Sequence, residues 1–396
     1  MLDDLRSVPR HTALGLTLAG AIVTIAMAMV IDSIGGSAAA PKRPQSSRVS
    51  SGDSHAVGGA RPKLVTEAES PQDVQVSIAN MVGQRFMVGL SEANPSPLLL
   101  QDARRGEIGG VLMFARNSTP AAVGAAAARL RQAARAGHQP PLLIAIDQEG
   151  GPVKRFPEGP PYTPLSQLSR GAAAREGLAT GRYLRQYHVN TDLAPVVDLG
   201  LPGSFIAEQG RTISKNPRRV AGVAGAFASG LKRTKVIPVP KHFPGLGQAS
   251  VDSDKAKSVV EAGVGSSLQP YRRLIAGGVP AIMVSTAFYT KLDPGNGAAW
   301  SPRIVEGLLR RRLAFKGVVI SDDLSTAGVA ESLSSPAIAA RAAALAGVDI
   351  LMVGDPNSFR SAYKNVLRAA ERGRISRRNL TSSYYRILAV KERFGS

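Results

Sequence analysis

From about Val76 to the C-terminus, short apolar runs alternate with longer stretches of helical periodicity. The runs cover residues 84–90, 110–114, 142–146, 191–197, 236–239, 281–284, 318–320 and 350–353. They are rich in Val, Ile and Leu and mostly lack polar alternation, as parallel strands buried on both faces do. Between them lie helix candidates at residues 121–136, 172–186, 218–232, 302–313, 336–346 and 359–372. Eight strands interleaved with helices predict an α/β protein, a (β/α)8 TIM-type barrel occupying residues 76–396 as a single domain. The alternative is an open doubly wound sheet, which calls for a Gly-rich phosphate loop after the first strand. No such loop is present.

A barrel places its chemistry just after the strands, at their C-terminal ends. The sequence meets that demand. Asp147, Glu149 and Arg155 follow the third run, Asp198 ends the fourth, Lys241 and His242 end the fifth, and Asp322 and Asp323 end the seventh. The Gly150-Gly151 pair permits a tight backbone turn. A single Asp after a strand is often a helix N-cap, and Asp323 and Ser325 are candidates for that role. Several such residues at one end of one barrel are harder to read as caps.

The N-terminal stretch has a different pattern. Residues 12–31 carry no charge and are long enough to span a bilayer, with Arg6 and Arg10 before them. This predicts a signal-anchor helix with residues 1–11 in the cytoplasm and the body outside. The small residues 37–40 also allow cleavage as a signal peptide, so the protein is expected to be membrane-anchored or secreted. Residues 32–75 are rich in Ser, Gly, Pro and Ala without apolar periodicity and read as a flexible tether.

Composition narrows the function. With 44% hydrophobic and 20% charged residues the chain is globular in character, and the absence of cysteine excludes disulfides, thiolate metal sites and a Cys nucleophile. The formal charge is +20, but no basic block interleaved with aromatics appears, which speaks against nucleic acid. Anionic cell-envelope polymers or lipid headgroups suit an exported protein better.

The segments IAIDQEGGPVKRF, APVVDL, KHFPGLGQASVDSD and GVVISDDLS resemble, in order, the signature blocks of glycoside hydrolase family 3. They are most similar to those of its single-domain bacterial β-N-acetylglucosaminidases. The resemblance implies a retaining mechanism through a covalent glycosyl-enzyme, with Asp322 as nucleophile. It further implies sugar-binding roles for Asp147, Arg155, Arg211, Lys241 and His242, and no metal or organic cofactor.

The departures bear on catalysis. The family's acid/base is a His in a D-S-H loop, where this chain has Asp252-Ser253-Asp254. G-H-G is Gly245-Leu246-Gly247, the His usual after M-x-S is Thr286, and the Arg usual after E-G-G is Pro152. Asp254 or Asp252 is then the expected proton donor, on a loop expected to move over the sugar. The implied activity is hydrolysis of O-glycosyl bonds, of the β-N-acetylhexosaminidase type, on peptidoglycan-like cell-wall glycan. The alternatives are a pseudoenzyme, tethered to the membrane and binding glycan without turnover, and a binder of anionic polymer or lipid.

Overall fold

The computed structural model describes residues 76–394. The expected membrane-spanning stretch, its cytoplasmic flank and the tether lie outside the described residues. Among the described residues, no helix is long and apolar enough to cross a membrane.

Eight strands follow the predicted runs: β1 (Phe86–Leu90), β2 (Gly110–Met113), β3 (Leu143–Ile146), β4 (Thr191–Asp192), β5 (Ile237–Pro238), β6 (Ala281–Val284), β7 (Val318–Ser321) and β8 (Leu351–Val353). Parallel pairing runs β8-β1-β2-β3-β4-β5, and β6 pairs in parallel with β7. Two isolated parallel bridges close the ring. Phe243, just beyond β5, pairs with Val284, and Ile350, just before β8, pairs with Ile320. Backbone bonds accompany them, from Phe243 N to Met283 O at 2.8 Å and from Ser321 N to Ile350 O at 2.9 Å. The sheet is therefore a closed α/β barrel, and the open-sheet alternative falls away.

Side chains alternate across the barrel wall, as the two-residue period of a strand requires. Met87, Leu112, Ala145, Met283, Ile320 and Met352 pack into an inner cluster. Their neighbours Phe86, Val111, Ile144, Ile282, Val319 and Leu351 face outward into the larger cluster shared with the helices. That double burial explains why the runs read as continuously apolar.

The strand predictions at residues 191–197 and 236–239 were too long, since regular pairing there covers two residues each. Pro195, Pro238 and Pro240 lack an N–H and interrupt the ladder. The two chains nevertheless stay together through a bridge between Val196 and Lys241.

Several helices announce themselves chemically. Ser96, Thr119, Asn216, Ser335 and Asp355 each cap a helix through a side-chain oxygen, with Pro at the next position. Such a cap satisfies free amides of the first turn and is typically worth ~1 kcal/mol. The cap at Asp355 starts the last predicted helix three residues early, at Pro356–Glu371. Periodicity did not predict the helices Pro97–Arg105, Leu268–Ala276 and Arg377–Phe394. The last of these matters most, because Ile387 and Phe394 join the inner cluster and plug the N-terminal end of the barrel.

Candidate active site

The opposite, C-terminal end is open. One cavity of about 170 Å³ is lined by all eight residues expected from the sequence: Asp147, Arg155, Arg211, Lys241, His242, Asp252, Asp254 and Asp322. They arrive from separate segments. Asp147 leaves β3, Lys241 and His242 follow β5, and Asp322 leaves β7. Arg155 is brought back by a small hairpin whose strands are Gln148–Gly150 and Val153–Lys154. Its turn uses Gly150 and Gly151 at φ +86° and +60°, and a Cβ on Gly150 would meet Pro161 Cγ at 2.7 Å.

The floor is a lattice of opposite charges. Lys241 Nζ lies 2.7 Å from both Asp147 Oδ1 and Glu149 Oε1. Arg155 reaches Asp147 Oδ2 at 3.3 Å. Arg211 clasps Glu149 with two bonds, Nε to Oε2 at 2.9 Å and a terminal nitrogen to Oε1 at 2.7 Å. Burial alone would raise the carboxyl of Asp147, but the charges of Lys241 and Arg155 outweigh it and bring it down to about 2. Glu149 is lowered in the same contest, chiefly by Lys241 and Arg211. Both acids stay anionic and Lys241 stays cationic, its proton affinity raised by these two carboxylates against the pull of burial. The arrangement presents fixed acceptors and donors suited to sugar hydroxyls and an amide.

His242 is fixed from behind. Asp198, wholly buried, takes His242 Nδ1 at 2.7 Å and also accepts from the amides of His242 at 3.3 Å and Leu246 at 2.7 Å. The Lys241–His242 peptide is cis. Gly247 is needed here for space, since a Cβ would lie 2.3 Å from the Leu199 carbonyl oxygen.

The mouth is acidic. Asp322 and Asp254 line the same cavity, with Asp252 and Asp323 beside them. Crowding by protein pushes the carboxyl of Asp254 up to about 7, helped by the negative charges of Asp322, Asp252 and Asp323 and opposed by His242. Asp254 as a whole residue is exposed at the rim. Asp323 has a different task. Its Oδ1 accepts from the Ser325 amide and hydroxyl and from Gly354 N, tying the β7 and β8 loops together. It caps no helix itself. The next helix, Ala327–Leu333, has Thr326 at its cap position, so neither Asp323 nor Ser325 fills that role.

Sequence reasoning passed over three contributors. Glu149 and Asp198 stood at strand ends but were not assigned to the site, although an acid in E-G-G and one ending APVVD were the available signals. Gln209 gave no signal at all. It lies on a loop, accepts from Arg211 through Oε1 at 3.1 Å and donates through Nε2 to Asp252 Oδ2 at 3.1 Å. The loop expected to move freely is anchored at several points, with Phe205 N bonded to Ala249 O at 2.9 Å and Ala327 N to Asp254 O at 3.1 Å.

The comparisons with known proteins bear on the family and the fold. The model of the glycosyl hydrolase family 3 N-terminal domain matches residues 78–390. A protein of Arthroderma benhamiae named as an uncharacterized secreted glycosyl hydrolase is 32% identical over 341 residues, covering 82% of this chain and 96% of its own. A β-hexosaminidase of Methylobacillus flagellatus is 34% identical over 292 residues, 68% of this chain and 81% of that protein. Among solved structures, a β-N-acetylhexosaminidase of Beutenbergia cavernae superposes with a TM-score of 0.73 at 31% identity, over 80% of this chain and 99% of the other. A closed barrel with a carboxylate-rich pocket at its C-terminal end, matched over nearly its whole body by that family, identifies the chain as a glycosidase belonging to glycoside hydrolase family 3.

Proposed function

We propose that the chain is an exported hydrolase that removes β-linked N-acetylhexosamine from peptidoglycan-type cell-wall glycan by a retaining mechanism. One observation carries this reading: the sugar-binding and catalytic candidates, drawn from distant segments, line a single small cavity. The relatives named as β-hexosaminidases point to a hexosamine, and the similar structure named as a β-N-acetylhexosaminidase points to its N-acetylated form. The charge-free stretch at residues 12–31 and the secreted relative from Arthroderma benhamiae support export. Residues 76–396 would form the catalytic body, with the anchor and tether before it.

In this reading Asp147, Arg155, Lys241 and His242 hold the sugar ring and Arg211 supports them. An Asp322 oxygen bonds to the anomeric carbon as the bond to the leaving oxygen breaks, and Asp254 gives that oxygen its proton. Water then attacks the same carbon, Asp254 takes back a proton, and Asp322 is released. A carboxyl near 7 is poised for both halves, whereas an ordinary Asp would have lost its proton at neutral pH. A chromogenic N-acetyl-β-glucosaminide assayed beside Asp322→Asn tests the proposal. Turnover by the wild type and its loss in the variant are expected. If both are inert yet bind the sugar, the pseudoenzyme reading replaces it, which the missing D-S-H histidine favours.

A second reading concerns the basic surface. Arg341, Arg368, Arg372 and Arg374 surround a hollow of about 250 Å³ away from the active site. Such a cluster suits an anionic envelope polymer. Binding to long-chain polyphosphate should weaken steeply with salt and be lost in an Arg341/Arg372/Arg374→Ala variant.

A further inference from the structure

Gln209 stands between two parts of the site that are otherwise separate. On one side is the binding floor, a continuous run of contacts from Arg155 through Asp147, Lys241 and Glu149 to Arg211. On the other is the acidic loop, where Asp252 Oδ1 accepts from the Asp254 amide at 3.1 Å. The half-buried side chain of Gln209 joins them, taking a bond from Arg211 and giving one to Asp252 Oδ2, each at 3.1 Å.

The chemistry at this position is restrictive. A guanidinium only donates and a carboxylate only accepts, so a residue bridging them must accept at one end and donate at the other. A primary amide does this without charge, and in one orientation only. Glu would accept from Arg211 but set a second negative charge against Asp252. Met would fill the space and bond to neither.

We infer that Gln209 is a positioning residue for the acid/base loop, locking Asp252 to the sugar-binding floor so that Asp254 is held over the leaving oxygen. The inference rests on the reading of Asp254 as the acid. The alternative anchor for Asp252 is weak, because Lys255 Nζ is 3.7 Å away and its side chain is largely exposed. A second tether, from Ala327 N to Asp254 O, holds the backbone but leaves the direction of the carboxyl open. The titratable groups around that carboxyl are Asp322, Asp252, Asp323 and His242. Moving Asp252 therefore changes the proton affinity of Asp254 as well as its place.

The test compares wild type, Gln209→Met, Gln209→Glu and Asp254→Asn on two substrates, an N-acetyl-β-glucosaminide with a sugar aglycone and an activated dinitrophenyl one. Loss of proton donation penalises the poor leaving group and spares the good one. Gln209→Met should lower kcat/KM on the first ~10-fold, a part of the ~10²–10⁴-fold that general acid catalysis supplies, and on the second less than ~3-fold. It should also shift the basic limb of the pH profile. Gln209→Glu should shift that limb to higher pH, because the added negative charge holds the Asp254 proton more tightly. Equal losses on both substrates with an unmoved pH profile mean that Gln209 only supports the fold, and the inference is wrong. If Asp254→Asn shows the leaving-group effect and Gln209→Met does not, the inference falls while the acid assignment stands. If Asp254→Asn matches wild type on both substrates, the acid assignment and the inference fall together.

Discussion

The two ends of the barrel both bury clusters of charge, and they use them differently. At the N-terminal end Asp349 is fully buried and saturated. Its Oδ1 takes two bonds from Arg386, at 3.1 and 2.7 Å, and its Oδ2 takes Arg310 and the Val319 amide. Arg85 is buried beside it and donates to the carbonyls of Asp349 and Val348. The helix Arg377–Phe394 then seals this end. At the C-terminal end the charged groups are just as closely paired, but they line an open cavity. The Asp349 carboxylate is completed by the protein, so its removal would strand buried cations. Charge that a ligand must complete is available for binding and catalysis.

That contrast is broken most severely by exchanging the expected phenotypes. Asp322→Asn should cut turnover of an aryl N-acetyl-β-glucosaminide by ~10³-fold or more while thermal unfolding stays close to wild type. Asp349→Ala should do the reverse. It leaves Arg310 and Arg386 without their carboxylate and should cost ~3–5 kcal/mol in urea unfolding, with the kcat of the surviving folded fraction little changed. A low-activity but stable Asp349→Ala would dissolve the distinction between the two ends.

A smaller effect sharpens it. In the proposed mechanism the glycosylation step needs Asp254 protonated, so kcat/KM should fall as pH rises through about 7. Asp254→Asn should remove that basic limb and leave a lower, flatter profile on a substrate with a sugar aglycone.

The smallest effect belongs to the sealed end. Lys391 is buried there against Gln84 Oε1 at 2.5 Å, and desolvation lowers its proton affinity to about 7. Between pH 7 and the usual lysine range the unfolded chain therefore binds more protons than the folded one, so stability should rise with pH across that window. Lys391→Met should flatten this dependence in denaturant titrations, with activity unaffected. A rise of the same slope in the variant would mean that other groups cause it.

Much of this was legible beforehand because the barrel repeats one pattern. Buried strands such as residues 142–146 and 236–239 are apolar on both faces, and their ends deliver Asp147 and the Lys241-His242 pair. The positions that escaped lack such a signature. Pro195 and Pro238 look like ordinary members of an apolar run, yet they shorten β4 and β5 by withholding donors. The helix Arg377–Phe394 has its apolar stripe hidden among basic residues, so its plugging role appears only once the barrel beneath it is in view. Gln209 is uncharged and sits in a loop, and only the three-dimensional pairing of Arg211 with Asp252 gives it meaning.

In the proposed mechanism this pocket performs covalent glycosyl transfer through Asp322 despite lacking the D-S-H histidine. The most direct measurement is intact-protein and peptide mass spectrometry after incubation with 5-fluoro-N-acetyl-β-glucosaminyl fluoride. In this reagent the leaving group needs little protonation and the ring fluorine slows release of the intermediate. One added sugar mass is expected, carried by the peptide containing Asp322 and absent from Asp322→Asn. An unmodified protein that releases no fluoride, or a label on any other residue, would contradict it.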